Sequence, residues 1–359
     1  MEKLDSAWAR KVSNIVKEKV PEIIEIFVEY YGEEYREAIS NKFNNTFFVF
    51  TDISSDENSN VNSPANLKYR ESVLDMFEEE QIIDIDEAYM DMCNDLMIGG
   101  AAFIGFRLSN LTQPVPICFL PKLSEINDSI LFHELNHIIL SELKFEDGHL
   151  VRRMGLTDLK YFVDYTYNMV YNNDEYYVSR NEELLNVLDE VINDYISLEI
   201  WKISREREFE FGSPKRLNSY YSVAFLPLES FFKEYMKEIK AAVLDGKREA
   251  LTELFSYSDL YVFAQDVEYL LSLDNQECNF VDEWFNENNL NARKLMNIDD
   301  YSEFPVVIED YGNALKDVKK SAAKAHRKVQ KADENLQAKE AKDSSVSAQD
   351  NDENHFDFD

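Results

Sequence analysis

The sequence predicts an α+β protein, predominantly helical, with a small mixed sheet beside the helix that holds residues 133–137 and a helical C-terminal subdomain. Three observations predict it. Glycine and proline number only 9 and 8 in 359 residues, which argues against sandwiches, propellers and collagen-like repeats and for long helices. Most of the chain carries apolar side chains at three- and four-residue spacing, and a few short β-branched and aromatic runs interrupt it. Hydrophobic residues make up 45% and aromatics 13%, enough for a sizeable core and too many for wholesale disorder.

In chain order, Val12, Ile15, Val16, Val20, Ile23, Ile24, Phe27, Val28 and Tyr31 fall at helical spacing, predicting one or two amphipathic helices over 5–40 broken near Pro21 and Gly32. Thr46–Thr51 is a β-rich run and Asp52–Pro64 a Ser/Asn/Asp-rich loop. A helix over 70–98 stops at Gly99-Gly100. Ala101–Leu108 and Val115–Leu120 read as an antiparallel strand pair. Ser124 is the expected cap of a helix over Glu125–Leu143, and Gly148–Tyr171 reads as a hairpin about Gly155. Asn181–Trp201 is helical, and further helices are expected near 224–244, 248–273 and 279–296.

The expected organisation is a mixed α/β subdomain over 1–180, a helical subdomain over 181–312 and a charged, largely disordered tail over 313–359. Lys316–Lys331 holds seven basic residues and one acid, Asp317, and reads as a solvated appendage. The formal charge is −33. From Asn313 onward nine basic side chains face ten acidic ones, so the acidity belongs to the body of the chain. Such a field repels phosphate backbones and argues against nucleic-acid partners. Within a cleft it favours basic or neutral substrates over acidic ones. No 18-residue uncharged apolar run occurs, so no membrane span is expected. The N-terminal stretch lacks the apolar core of a secretion signal, and three scattered cysteines fit reduced thiols, so a cytoplasmic setting is expected.

His133-Glu134-Leu135-Asn136-His137 lies within an apolar helical run. Histidines at i and i+4 project from one helix face, where both imidazoles reach one Zn²⁺. Glu134, one position on, points aside and addresses the attacking water rather than the metal. Catalytic zinc usually takes three protein ligands. His149, twelve residues beyond His137 and without the glycine of the metzincin extension, is a poor third. The better source is Leu188–Tyr195, where Glu190 and Asp194 share a face: one carboxylate can bind zinc while the other accepts a hydrogen bond from a ligand imidazole. Glu183, one heptad earlier, is the runner-up, and Glu199 lacks a helix-spaced acidic partner.

The pattern of His133, Glu134 and His137, followed 53 residues after His137 by Glu-x-x-x-Asp, resembles the gluzincin branch of the zincin metallopeptidases, the thermolysin-like class. The resemblance covers about 100 residues, Ala101–Trp201. It implies His133, His137 and Glu190 as zinc ligands, Glu134 as general base and Asp194 as the partner of His133. It also implies that the strand containing Ala101, Ala102, Phe103 and Ile104 is the edge along which an extended peptide binds. The gap is long for the class, and Asp189 stands before Glu190 where many relatives carry Asn. No motif identifies an oxyanion donor. Tyr220 and Tyr221 are the best-placed tyrosines for that role, and Arg152 and Arg153 read as an exposed hairpin pair.

The expected function is therefore a zinc-dependent metallopeptidase acting on a peptide or protein substrate. Its rivals are a zinc-binding but catalytically idle peptide scaffold and a helical interaction protein whose HExxH is accidental.

Overall fold

The structure is a computed structural model of the chain. It describes residues 7–50, 64–83, 101–107, 110–120, 126–146, 149–164, 169–172, 180–214, 222–244, 257–276, 284–285, 287–290, 292–295, 298, 303–324, 327–328 and 331. The protein is α+β and predominantly helical with a small mixed sheet, as the spacing predicts. It divides into two compact units, Met1–Phe225 with Lys240–Lys247 and Leu226–Ile239 with Arg248–Asp359.

The first unit opens with α1 (Ala7–Lys17), α2 (Val20–Tyr31) and α3 (Arg36–Asn44). Pro21 starts α2 rather than breaking it, because the first turn needs no N–H from that position. Gly32 ends α2 at φ 114°, outside the range open to other residues. Strand β1 (Phe47–Phe50) follows as expected. The helix expected over 70–98 is α4 (Pro64–Glu79), and residues 84–100 lie outside the described ones. Gln81 at φ 55° closes it, and the β-branched Ile82–Ile83 turns away as β2.

Strands β3 (Ala101–Arg107) and β4 (Asn110–Leu120) form the expected antiparallel pair. The sheet order is β1-β4-β3-β2, with β1 parallel to β4. Pro114 and Pro116 lie before Ile117, where pairing with β1 begins, so their missing N–H groups fall where β4 has β3 alone as partner.

Helix α5 (Asp128–Leu140) carries the HExxH residues and packs on β3 and β4. It is shorter than the expected 125–143. Asn127, rather than Ser124, accepts the N–H of Ser129 at 2.8 Å and caps it. At the other end the chain leaves helical geometry at Ser141 and runs straight into β5 (Ser141–Glu146). The expected hairpin is β6 (His149–Met154) and β7 (Thr157–Asp164). With β5 and β8 (Met169–Asn172) it becomes a four-stranded antiparallel meander. This meander occupies the long stretch between His137 and Glu190. Helix α6 (Arg180–Glu206, 27 residues) then returns against α5. Phe132 of α5 meets Phe27 of α2 and Phe209 in tilted ring contacts, at centroid separations of 6.1 and 5.5 Å, and each such pair contributes about 0.5–1.5 kcal/mol beyond its buried area.

Gly155 shows why the β6–β7 turn takes no other residue. Its φ is +53°, its N–H donates to Leu140 O at 3.0 Å, and a Cβ there would lie 2.0 Å from Asp189 Oδ1.

Among the described residues the second unit is helical. Helix α7 (Tyr257–Gln276) contributes Phe263, which meets Phe231 at 6.0 Å. Residues 306–324 form a further helix burying Ile308, Tyr311, Ala314, Leu315, Val318 and Ala322. Within the stretch expected as a tail, Ala314, Leu315, Val318 and Ala322 face inward while Ala323 is exposed, and Ser321 donates to Asp266 Oδ2 at 2.6 Å; residues 332–359 lie outside the described ones. The lysines take the solvent side, as on any amphipathic helix. No helix among the described residues is long and apolar enough to cross a membrane.

Candidate metal centre

Both ends of α5 are fixed before any chemistry begins. At its N-terminus the fully buried Asp128 accepts from Arg205 Nη2 at 2.8 Å and from the backbone N–H groups of Phe211 and Gly212 at 3.2 and 2.7 Å. A carboxylate in the first helical turn also complements the helix dipole. At the C-terminus the orphan carbonyls find donors. Lys42 Nζ reaches Ile139 O and Ser141 O at 2.7 and 2.6 Å, and Ser141 Oγ donates to His137 O at 2.6 Å. Burial pulls the Lys42 ammonium down to about 8.

Between these anchors, His133, His137 and Glu190 converge. His133 Nε2 and His137 Nε2 are 3.2 Å apart. Glu190 Oε2 lies 3.5 Å from the first and 3.3 Å from the second. Among the described residues these three form the one cluster able to hold a metal ion. Ligand atoms 2.0–2.1 Å from a tetrahedral zinc stand about 3.3 Å from one another. Hydrogen bonds alone fit this triangle poorly: if both ring nitrogens donate to Glu190, two N–H groups face each other across 3.2 Å. Two borderline nitrogen donors and one carboxylate suit zinc and related divalent ions, so the residues present fit such a group.

The electrostatics agree. Burial works against a protonated His133, but Asp194 and Glu190 outweigh it and hold the ring up at about 10. His137 is also raised, burial opposing and Glu190 prevailing. Burial would lift Glu190, yet the two histidines pull it far below the ordinary carboxylate range. The site thus favours positive charge. Glu134 of the same helix is buried, and burial raises its carboxyl while His133 and His137 pull it back.

Asp194 sits behind the triangle, its Oδ1 3.5 Å from His133 Nδ1, a contact that sets which ring nitrogen faces Glu190. The four residues His133, His137, Glu190 and Asp194 are therefore together. His149 is elsewhere, in β6 opposite Glu146 and Phe162. Glu199 pairs with Lys202 at 2.6 Å. Glu183 belongs to α6, and its side chain lies outside the described ones. Tyr220 and Tyr221 lie outside the described residues. The arginine pair is not exposed: the Arg153 side chain is 11% accessible, donates to Leu244 O at 2.8 Å and meets Glu142 at 3.3 Å. In β3, Ala101–Ile104 have β4 on one side, and β2 pairs only with Phe106 and Arg107 on the other.

Two site residues escape sequence reasoning. Asn136 and Asn193, both fully buried, join α5 to α6: Asn136 Nδ2 donates to Asn193 Oδ1 at 2.7 Å, and Asn193 Nδ2 donates to His133 O at 3.2 Å. The available signal was an amide on the inward side of each helix, inside HExxH and inside Glu-x-x-x-Asp.

No family model, curated protein or solved structure matches the chain.

Proposed function

We propose that the protein is a zinc-dependent metallopeptidase of the gluzincin type, with His133, His137 and Glu190 as ligands. The observation supporting this reading is the donor triangle, whose three separations of 3.2, 3.3 and 3.5 Å are those of ligands around one small cation. Zinc bound there supplies Lewis acidity, lowering the pKa of a coordinated water from about 15.7 to near 7 and polarising a carbonyl.

The chain's own residues supply the rest. The Glu134 carboxylate, raised by burial, takes the proton of the attacking water on one oxygen and hands it to the leaving amine. Asp194 holds His133 in the tautomer whose Nε2 is the ligand atom. The β3 segment Ala101–Ile104 offers backbone groups to an extended peptide. The anionic surface favours basic or neutral peptides. The setting we propose is cytoplasmic.

The test is Glu134→Gln in zinc-loaded protein, assayed on quenched fluorescent peptides with zinc content measured in parallel. The expected result is unchanged zinc and a fall in kcat of about 100-fold or more. Equal turnover by both proteins, or none by either, contradicts the enzymatic reading, the second outcome favouring a zinc-bearing scaffold.

A further inference from the structure

We infer that Asn136 and Asn193, backed by Tyr31, are positioning residues that set the offset between the two ligand-bearing helices and so determine metal affinity and coordination geometry. This rests on the metal reading above and concerns residues outside the ligand set.

Three hydrogen bonds in series carry it. Tyr31 Oη donates to Asn136 Oδ1 at 2.5 Å, Asn136 Nδ2 to Asn193 Oδ1 at 2.7 Å, and Asn193 Nδ2 to His133 O at 3.2 Å. The series runs from the last turn of α2, through α5, to α6 and back to the main chain of a ligand. Asn136 precedes His137 and Asn193 precedes Asp194, so each amide is one residue from a group of the site.

Stability alone does not account for them. Both asparagines are fully buried, and two apolar side chains of similar volume would pack there without desolvating amides. What an amide pair adds is register. Apolar ridges tolerate a small slide, whereas a directional bond between two short side chains closes at one offset only. A slide of one residue along a helix is about 1.5 Å, enough to open a triangle whose sides are 3.2–3.5 Å. Tyr31 is itself buried, and its hydroxyl meets the Asn136 oxygen, leaving Asn136 to present its N–H₂ to α6.

The experiment uses the full chain carrying Asn193→Ala, Asn136→Ala, both together, or Tyr31→Phe. Zinc affinity is read by competition with a chromophoric chelator, coordination by the visible absorption of the Co²⁺-loaded protein, and folding by melting of the metal-free protein. Each asparagine variant is expected to bind zinc about tenfold or more weakly and to shift the Co²⁺ bands. The double variant should lose about as much as either single one, since the two act as a unit. Tyr31→Phe, which removes one oxygen from a buried ring, should weaken binding in the same direction by less, and it keeps the test open if the alanine variants do not fold. Lowered melting with zinc affinity and Co²⁺ bands unchanged would mean a purely structural role and overturn the inference. Wild-type protein that takes up neither ion would instead overturn the metal reading itself.

Discussion

Among the described residues, the second unit buries aliphatic and aromatic side chains such as Leu228, Phe232, Phe263, Leu270 and Leu315, while every buried carboxylate, imidazole and amide side chain lies in the first. Asp128, Glu134, Asn136, His137, Asp189, Asn193 and Asp194 all stand on α5 or α6. Each buried polar group costs desolvation that a methyl group would not. The second unit shows that this chain can build helix packing from apolar residues. The polar load on α5 and α6 is therefore not a general requirement of helix packing in this chain, and the contrast can be probed by substitution.

The largest effect is expected at Asp128. Asp128→Ala removes the buried carboxylate that Arg205 and two backbone N–H groups share, and should cost about 3–5 kcal/mol by urea unfolding; a loss below about 1 kcal/mol would show that the polar anchor is dispensable. Next comes Gly155→Ala. The left-handed φ and the Asp189 carboxylate 2.0 Å from the new Cβ together predict a loss of about 2 kcal/mol or more, and no change in midpoint would contradict the packing described. In the second unit the volume-conserving Leu270→Met should cost less than about 1.5 kcal/mol. A larger loss there would blur the distinction between the units.

The smallest effect is a pH dependence confined to the first unit. Burial lowers Lys42 from 10.5 to about 8. Between those values the unfolded chain holds more proton than the folded one, so stability rises with pH across the window. Urea midpoints at pH 8 and pH 10 should therefore move apart from those of Lys42→Met, in favour of the wild type at the higher pH. A constant difference would contradict the placement of Lys42 at the end of α5.

Local patterns made part of this legible. His133 and His137, and Glu190 and Asp194, are each one helical turn apart, so spacing alone puts each pair on one face. That the two faces meet is tertiary. Asn136 and Asn193 bond across 57 residues and Lys42 reaches Ile139 across 97, distances over which periodicity says nothing. The meander was half legible: Gly155 announced the β6–β7 turn, but Leu140 into Ser141 reads as continuing helix until the alternation of Ser141–Glu146 is weighed against it. Around Lys316 the charge run masked a buried stripe of Ala314, Leu315, Val318 and Ala322, because composition averages over faces that a helix separates.

The central claim is that one divalent ion is gripped by two imidazoles of α5 and one carboxylate of α6. Elemental analysis of zinc-saturated, exhaustively dialysed protein tests it most directly: near one zinc per chain in the wild type, and a small fraction of that in His133→Ala, His137→Ala and Glu190→Ala. A wild type that retains none, or three alanine variants that retain it all, would contradict the claim.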